Sequence, residues 1–424
     1  MEEGAENATV IIAGAGPVGL LIALRLGQQG VKTLVLEAHD TLLPTTRAMV
    51  YMPVVNSVLR DLGILELVMQ HAFLNTEGVV WRDPQGRVLA RLPLGNNTSS
   101  TSVHDPDFEG VLLIGQAKMN GLILQEIQKY PSVQVIFGHR VVGIADNSDM
   151  DFVEVMTTHA NVVDGDRTWK AQYVLGCDGT NSSVRRAMCI PFEGFTWPDF
   201  RMVGTDVVYD FISENGWTPL NFVVDDETDA AAVVAYTGED DPQRHGPLWR
   251  IAFLEDSSLP SSKDEVRARA LNRIPTYLKP TKDFTLARAD VFWMHQRCAR
   301  QARKGRILLA GDALHCNNPV GGLGLTSGIL DAFAYGNALT RVLVQGEDES
   351  LLTRCADSRR HAWLDATDQL SRANLKRIRA IKPEDTSVRA DFFRKLNEDQ
   401  LFPAVVRRNM DTMLPEAFGI KVES

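Results

Sequence analysis

The sequence has little of what marks disulfide-rich or metal-binding proteins. Its 424 residues include only five cysteines, at positions 177, 189, 298, 316 and 355, and no CxxC pair. An odd number of cysteines without that spacing argues against a disulfide framework or a zinc site and predicts free, mostly buried thiols. None of the nine histidines forms a cluster with carboxylates or cysteines at the spacing of a metal site.

Long basic runs and long apolar runs are also missing. The formal net charge is -10, whereas a protein that binds duplex nucleic acid usually presents a basic face. No segment reaches the roughly 20 apolar residues that span a bilayer. Residues 10–24 are apolar, but the preceding MEEGAENA is acidic where a signal peptide is basic. We therefore expect a cytoplasmic protein, monomeric or homodimeric, without nucleic-acid or membrane partners.

What the chain does contain begins with a nucleotide-binding βαβ pattern. A short apolar strand leads into Gly14-Ala15-Gly16-Pro17-Val18-Gly19, a GxGxxG motif that opens a predicted helix. Gly14 permits the tight turn, Gly16 lets the backbone approach a pyrophosphate, and Gly19 lets the helix pack on the strand. Glu37 ends the next strand, where a carboxylate binds the ribose hydroxyls and repels the 2′-phosphate of NADP. No second GxGxxG follows, so one dinucleotide site must serve, and its dinucleotide stays open at this point.

Two later segments also place acidic residues where predicted strands end. YVLGCDGTNSSVR, residues 173–185, carries Asp178, and GRILLAGDALHCNNPVGGLGLTSGILDA, residues 305–332, carries Gly311-Asp312. In the second segment a proline- and glycine-rich loop precedes a helix, whose N-terminus can stabilise negative charge. Asp178 has an alternative interpretation as a plain cap at the end of its strand.

Together the three motifs resemble, in order and spacing over about residues 8–345, the fingerprints of the class A FAD-dependent aromatic-ring monooxygenases. This is the para-hydroxybenzoate hydroxylase family. The resemblance implies that Asp312 contacts the ribityl chain, that Asp178 lies near FAD and the approach of NAD(P)H, and that Arg47 and Gln116 lie against FAD. The full predicted FAD site comprises Gly14, Gly16, Pro17, Gly19, Glu37, Arg47, Gln116, Asp178, Gly311, Asp312, Pro319, Gly322, Gly324 and Leu325. Leu314 and Thr326 depart from the family's usual alanine and asparagine, which puts the subfamily in doubt more than the cofactor.

The predicted fold is α/β with a second, β-rich part. The resemblance implies a Rossmann-like FAD-binding domain of the GR2 type, with the para-hydroxybenzoate hydroxylase fold, in three pieces: residues 1–77, 110–189 and 285–345. Residues 78–109 and 190–284, which include a predicted hairpin with its turn at 83–86, form an antiparallel β-sheet substrate domain. Residues 346–424 are a C-terminal helical segment, and the many arginines and lysines of 347–382 favour the solvated face of a covering helix.

The reaction implied by the resemblance is hydroxylation of a small aromatic or phenol-like substrate. NADPH or NADH would reduce FAD, and O2 would form a flavin hydroperoxide whose distal oxygen passes to the ring. Epoxidation, dearomatising hydroxylation and Baeyer-Villiger oxidation on the same fold remain alternatives, as does a non-catalytic FAD-fold escort protein.

Four residues are candidates for contact with the substrate. Arg250, among apolar neighbours in LWRIAF, indicates either a salt bridge or an anion site. Arg201 and Tyr236 could act together as phenolate anchor and hydrogen-bond partner, as in related fungal-type hydroxylases. His295 is either a group that activates the substrate or a hydrogen-bonded core histidine.

Overall fold

The fold is described from a computed structural model of the chain. It describes residues 7–44, 47–95, 110–147, 151–159, 165–224, 230–237, 248–279 and 283–411. Part of the predicted substrate domain, residues 96–109, therefore lies outside the described residues. Within the described ranges, no helix has both the length and the apolar character needed to cross a membrane. All five cysteines are described and all are free.

The described residues form the following strands and α-helices. The strands are β1 (Asn7–Ala13), β2 (Thr33–Leu36), β3 (Val50–Tyr51), β4 (Phe73–Asn75), β5 (Val79–Arg82), β6 (Val88–Leu92), β7 (Val111–Leu113), β8 (Val133–Ile136), β9 (His139–Asn147), β10 (Phe152–His159), β11 (Arg167–Gly176), β12 (Phe192–Thr196), β13 (Phe200–Val208), β14 (Leu220–Val223), β15 (Ala231–Tyr236), β16 (Leu248–Asp256), β17 (Thr285–Phe292), β18 (His295–Ala299), β19 (Arg303–Lys304), β20 (Ile307–Leu309) and β21 (His315–Cys316). The α-helices are α1 (Pro17–Gln28), α2 (Val54–Asp61), α3 (Leu65–Met69), α4 (Gln116–Ile127), α5 (Ser183–Ala187), α6 (Phe211–Asn215), α7 (Lys263–Arg273), α8 (Leu323–Leu343), α9 (Ser350–Ala362), α10 (Asp368–Ile378), α11 (Pro383–Glu398) and α12 (Phe402–Asp411).

The first sheet has eight strands, and five of them run parallel in the order β20-β11-β1-β2-β8. The strands β19, β10 and β9 join it through antiparallel pairings. Helix α1 packs between this sheet and helices α4 and α8. Because its side chains are apolar almost all round, it is buried along nearly its whole length, as an all-apolar helix must be. The helix begins at Pro17, and the chain leaves it through Gly30, whose φ of 70° suits glycine. The α/β fold and the predicted first βαβ unit are confirmed.

The second sheet has seven strands, in the order β17-β13-β16-β15-β14-β5-β6. The predicted hairpin is confirmed as β5 and β6. The sheet is antiparallel as predicted, except that β14 and β5, which lie more than a hundred residues apart in the chain, run parallel. The predicted domain limits place residues 285–345 with the first sheet, but β17 pairs with β13 in the second sheet. The domain division stays a prediction, and by its pairing β17 would belong to the predicted substrate domain.

The two faces of the seven-stranded sheet have different environments. One face carries Val207, Trp249 and Ile251 and forms a closed apolar core with α6 and α7. Residues of the opposite face line a cavity. The sheet therefore uses one face for stability and leaves the other for a ligand.

The C-terminal helices cover the cavity from the remaining side. The helical pattern predicted for 347–382 is confirmed as α9, a π-helical turn at Trp363–Thr367 and α10. The prediction of a solvated basic face is wrong for Arg359, whose side chain is fully buried. Phe392 and Phe393 of α11 pack against Trp81 of β5, which fixes this helix onto the second sheet.

Candidate active site

A cavity of about 580 Å³ lies where the two sheets and the C-terminal helices meet. It reaches the carboxyl ends of β1, β11 and β20, which is the edge where open α/β sheets bind ligands. Its other walls are the free face of the seven-stranded sheet and residues of α10 and α11. A cofactor and a second molecule can therefore lie next to each other in one continuous space.

The glycines of the first motif shape the cofactor end of this cavity. Gly14 has a φ of 104°, and a Cβ there would lie 2.6 Å from the carbonyl oxygen of Cys177. A Cβ on Gly19 would collide with the carbonyl oxygen of Gly14, so Gly19 serves helix packing and does not line the cavity. A Cβ added at Gly16 would lie in open space. Gly16 is the N-cap residue of α1, so no side chain of the N-cap hydrogen-bonds the helix end. The first-turn N–H groups of α1 are therefore free of a side-chain cap and face a space that fits a pyrophosphate.

Three further residues that were predicted to contact FAD line the cofactor end of the cavity. Glu37 accepts hydrogen bonds from the backbone N–H of Ala15 at 2.8 Å and of His39 at 3.0 Å, which orients its carboxylate at the cavity wall. Gln116, the first residue of α4, accepts a 3.3 Å hydrogen bond from the N–H of Ala48. Arg47 precedes Ala48 and lines the cavity as an exposed side chain. The roles of Glu37, Gln116 and Arg47 toward FAD stay predictions.

Asp178 caps a helix and also lines the cavity, while its predicted role near FAD stays a prediction. One carboxylate oxygen, Oδ2, caps α5 by accepting from the N–H groups of Ser183 at 2.7 Å and Val184 at 3.2 Å. The other, Oδ1, is buried at the cavity without a hydrogen-bond partner in the part of the chain that the structure describes. Burial raises the pKa of this carboxyl, against the opposing effect of its hydrogen bonds. A buried acceptor of this kind suits a ligand that donates a hydrogen bond.

The Gly311-Asp312 turn presents a carboxylate that no described residue hydrogen-bonds. Asp312 is open to the cavity but surrounded by protein, and this desolvation raises its pKa despite the positive charge of Arg47 nearby. Behind the turn, Asp331 accepts a 2.9 Å hydrogen bond from the N–H of Gly311. Burial disfavours the Asp331 carboxylate, yet His315 at 2.9 Å and Arg359 at 2.7 Å outweigh it and lower its pKa. This buried cluster holds the turn so that Asp312 points into the cavity.

The N-terminus of α8 provides a second uncapped helix end. Gly321 and Gly322 have φ values of 95° and 68°, and Gly322 caps α8 without a side-chain hydrogen bond. Pro319, Gly324 and Leu325 also line the cavity. The open space at Gly16, the unpartnered carboxylate oxygens of Asp178 and Asp312, and the two helix N-termini without a side-chain cap fit the phosphate, ribityl and ring portions of FAD.

The free face of the seven-stranded sheet forms an apolar wall with one charged side chain, Arg250. The sheet residues that line the cavity are Val79, Trp81, Leu92, Met202, Leu220, Phe222, Ala232, Val234, Arg250, Ala252 and Phe292. Arg250 donates to Asp206 at 2.7 Å and lies 5.7 Å from the ring centre of Tyr236. Burial raises the pKa of Tyr236, so its hydroxyl stays protonated at neutral pH. Of the two predicted alternatives for Arg250, the salt bridge is present; Arg250 also lines the cavity, and its role as an anion site stays a prediction.

The other predicted substrate contacts lie elsewhere. Arg201 and Tyr236 do not form a pair: Arg201 lies opposite Glu255 and Tyr236 opposite Leu248, at the two ends of β16. Arg201 instead donates to Glu255 at 2.9 Å and does not line the cavity. His295 does not line it either. The His295 Nδ1 lies 2.8 Å from the Thr196 hydroxyl, which matches the alternative of a hydrogen-bonded core histidine, and burial lowers its pKa.

Several residues in and around the site lie outside the sequence motifs. Asp206 was missed because its partnership with Arg250 depends on strand order. Asn374 and Arg377 were missed because a basic helix most often faces solvent. Asp331 was missed too, although a lone acid inside the apolar run GILDAFAYG is a usable signal of a buried partner.

The cofactor cradle and the apolar wall together define the class of the protein: it is a flavin-dependent monooxygenase that binds FAD. The chain belongs to the family described as "FAD binding domain", whose model matches residues 7–369. It is 35% identical over 379 residues to para-nitrophenol 4-monooxygenase of Pseudomonas sp. (strain WBC-3), covering 88% of both chains. It is 32% identical over 377 residues to 6-hydroxy-3-succinoylpyridine 3-monooxygenase HspB of Pseudomonas putida (strain DSM 28022 / S16), covering 88% of this chain and 90% of that one.

Solved structures agree with this assignment. The crystal structure of p-nitrophenol 4-monooxygenase PnpA from Pseudomonas putida DLL-E4 superposes with a TM-score of 0.85 at 30% identity, covering 96% of this chain and 98% of that chain. The flavin-dependent monooxygenase PieE, in complex with FAD and substrate, has a TM-score of 0.76 at 23% identity, with 96% and 71% coverage, and shows the shared fold. The predicted family and fold class are confirmed, and the non-catalytic escort alternative is set aside.

Proposed function

We propose that this enzyme hydroxylates a small aromatic ring that already bears a hydroxyl group, using NADH or NADPH and O2. The names of the relatives support this substrate class: one acts on para-nitrophenol, a second on 6-hydroxy-3-succinoylpyridine. The observation that carries the proposal is the apolar sheet face with the single arginine, Arg250, set in the same cavity as the FAD cradle.

In this proposal Arg250 donates a hydrogen bond to the hydroxyl or phenolate oxygen of the ring. Its ion pair with Asp206 fixes the guanidinium. Tyr236 interacts with both Arg250 and Asp206 and does not line the cavity, so we assign it as a positioning residue. Stabilising the phenolate raises electron density on the ring, which favours attack by an electrophilic oxygen. Bound FAD would supply electron transfer from NAD(P)H and the activation of O2. The apolar wall excludes water, which otherwise diverts activated oxygen to hydrogen peroxide.

The experiment that tests the proposal measures NAD(P)H-dependent oxygen uptake by the FAD-loaded enzyme across phenols and hydroxypyridines, with peroxide counted in parallel. Under ¹⁸O2, we expect one compound to accelerate uptake and to gain one labelled ring hydroxyl. An epoxide or an inserted ester oxygen would assign the alternative chemistries instead. Uptake that ends entirely as peroxide for every compound would contradict the proposal. We also propose that the enzyme is a cytoplasmic monomer or homodimer, which size-exclusion chromatography with light scattering and cell fractionation would test.

A further inference from the structure

Arg377, on the C-terminal helix α10, differs from Arg250 in having no acidic partner among the described residues. Its Nη1 donates to Asn374 Oδ1 at 2.5 Å, and its guanidinium lies 4.1 Å from the ring centre of Phe392. Among the described residues, no carboxylate contacts it. Arg250, in contrast, is already compensated by Asp206 at 2.7 Å. The C-terminal helices therefore bring an uncompensated positive charge to the cavity.

The surroundings of Arg377 make this charge costly without a ligand. Burial lowers its pKa to about 10, which still leaves the guanidinium charged at neutral pH. A half-buried cation without a counter-ion is unfavourable, and an anion that enters the cavity relieves that cost. The charge can therefore be neutralised by an anionic ligand, since the described residues supply no carboxylate to it.

Arg377 lies at the substrate side of the cavity. Phe392, beneath its guanidinium, contacts Trp81 edge-on at 5.8 Å, and Trp81 stacks with Phe222 at 6.2 Å between ring centres. These rings connect Arg377 to the apolar sheet face. Asn374 in turn approaches Gly321, where a Cβ would collide with the Asn374 amide. The guanidinium is therefore held between the apolar wall and the loop that begins α8.

We infer that Arg377 binds a carboxylate substituent of the aromatic substrate, as a second anchor separate from Arg250. A guanidinium and a carboxylate match in planar, two-pronged geometry and opposite charge, and Asn374 holds the fork in place. A nitro group also presents two oxygens, but it is uncharged and leaves the cation uncompensated. This inference rests on the proposed function for the presence of a ring, and it narrows the substrate to hydroxylated aromatic acids.

The test is equilibrium binding to the FAD-loaded enzyme without NAD(P)H, followed by calorimetry or by perturbation of flavin absorbance. The probes are 3-hydroxybenzoate and 3-(3-hydroxyphenyl)propionate, each with its neutral primary amide. We expect each acid that fits to bind at least about tenfold tighter than its amide, and Arg377→Gln to weaken the acid by about 10- to 100-fold but not the amide. Arg377→Lys keeps the positive charge but not the two-pronged guanidinium, so its affinity for the acid should lie between those of the wild type and Arg377→Gln.

Arg379→Gln is the matched control. Arg379 also lies over a phenylalanine ring, that of Phe200 at 4.2 Å, but it does not line the cavity. This variant should leave both affinities unchanged. The inference is overturned if no acid binds tighter than its amide, or if Arg377→Gln and Arg379→Gln weaken acid and amide alike. Because no turnover is involved, a failure of hydroxylation in the oxygen-uptake experiment leaves this binding result intact, and the reverse also holds.

Discussion

Two arginines of the seven-stranded sheet, Arg201 and Arg250, provide a natural comparison between structural and functional roles. They are 2% and 5% exposed, and each is paired with a carboxylate, Glu255 or Asp206. Only Arg250 lines the cavity. Burial and pairing alone therefore do not distinguish a substrate contact from an internal salt bridge.

We predict that Arg201→Met and Arg250→Met both lower the melting temperature, because each leaves a buried carboxylate less compensated. The cost should stay below the roughly 3–5 kcal/mol of a fully orphaned charge, since Arg269 remains beside Glu255 and Arg288 beside Asp206. Steady-state kinetics on the identified phenol should show KM raised about 10- to 100-fold in Arg250→Met only. An equal rise in KM for Arg201→Met would contradict the assignment of Arg250.

Asp312 allows the cofactor role to be separated from stability. Burial raises its pKa, which means that the ionised carboxylate is less favourable in the folded apoprotein than in the unfolded chain. At neutral pH this charge therefore destabilises the folded apoprotein. Asp312→Ala should therefore keep or slightly raise the melting temperature of the apoprotein while lowering FAD occupancy, read from the 450 nm absorbance per chain. Asp331→Ala is the contrast, because the pKa of Asp331 is lowered and its loss should destabilise the apoprotein. Full FAD occupancy in Asp312→Ala would refute the ribityl contact.

At the scale of residues, the sequence predicted what local motifs determine. The glycine spacing predicted the tight turn at Gly14 and the open space at Gly16, because glycine is the residue that permits both. The expected pairing of Arg201 with Tyr236 was wrong, because strand order and register decide which residues of β13 and β15 come together. Arg377 could not be predicted, since a basic residue on an amphipathic helix has the same pattern whether it faces water or a cavity.

At the scale of elements, the N-terminus of α1 is the part most closely adapted to the cofactor. Gly16 has φ -72° and ψ 173°, a conformation that alanine adopts readily, and the protein leaves space for a Cβ. Glycine is therefore not required there by the fold. We propose that a bound pyrophosphate, which would occupy this space, is what requires glycine at this position.

We predict that Gly16→Ala lowers the affinity of the apoprotein for FAD by at least about tenfold, while its stability changes by about 1 kcal/mol or less. Gly121→Ala is the matched control: Gly121 lies inside α4, has open space for a Cβ and does not line the cavity. That variant should raise stability by about 1 kcal/mol, from helix propensity, and leave FAD binding unchanged. Flavin fluorescence titration and chemical denaturation measure the two quantities. Equal FAD affinities in the two variants would count against a pyrophosphate at Gly16.

The elements themselves were largely predictable where periodicity and turn residues agree, as in α1 and the β5-β6 hairpin. The parallel pairing of β14 with β5 was not, because it joins segments that are far apart in the chain. The π-helical turn at Trp363–Thr367 was also missed, since a π turn keeps the helical pattern of the sequence. Its consequence is tertiary: Trp363 stacks on His315 at 5.5 Å, next to the Asp331 cluster.

At the scale of the whole molecule, the site exists only because three separate parts of the chain close around one space. The parallel sheet supplies the FAD cradle, the seven-stranded sheet supplies the apolar wall, and the C-terminal helices supply the remaining side. The family motifs predicted the first part. The second was predicted as a sheet with Arg250 as a candidate substrate contact but without its apolar lining residues. The third was predicted only as a covering helix, because no motif specifies which side chains meet across these parts.

The closure of this space should control how much oxygen chemistry is lost to water. Phe392 and Phe393 are adjacent on α11, are 8% and 9% exposed, and both contact Trp81, but only Phe392 lines the cavity. We predict that Phe392→Leu raises the hydrogen peroxide formed per NAD(P)H consumed with the identified substrate, because a smaller side chain admits water beside the ring. Phe393→Leu should cost a similar roughly 1–2 kcal/mol of stability and leave the peroxide fraction unchanged.

The measurement is the ratio of peroxide to NAD(P)H under substrate saturation, with FAD occupancy and melting temperature determined for both variants. Comparing two neighbours on one helix separates the cavity wall from the docking of α11. If the peroxide fraction rises equally in both variants, the seating of the whole helix controls coupling. If the peroxide fraction rises in neither variant, the C-terminal helices do not exclude water from the reacting ring. Water would then be excluded by the sheet face and the loop before α8 alone.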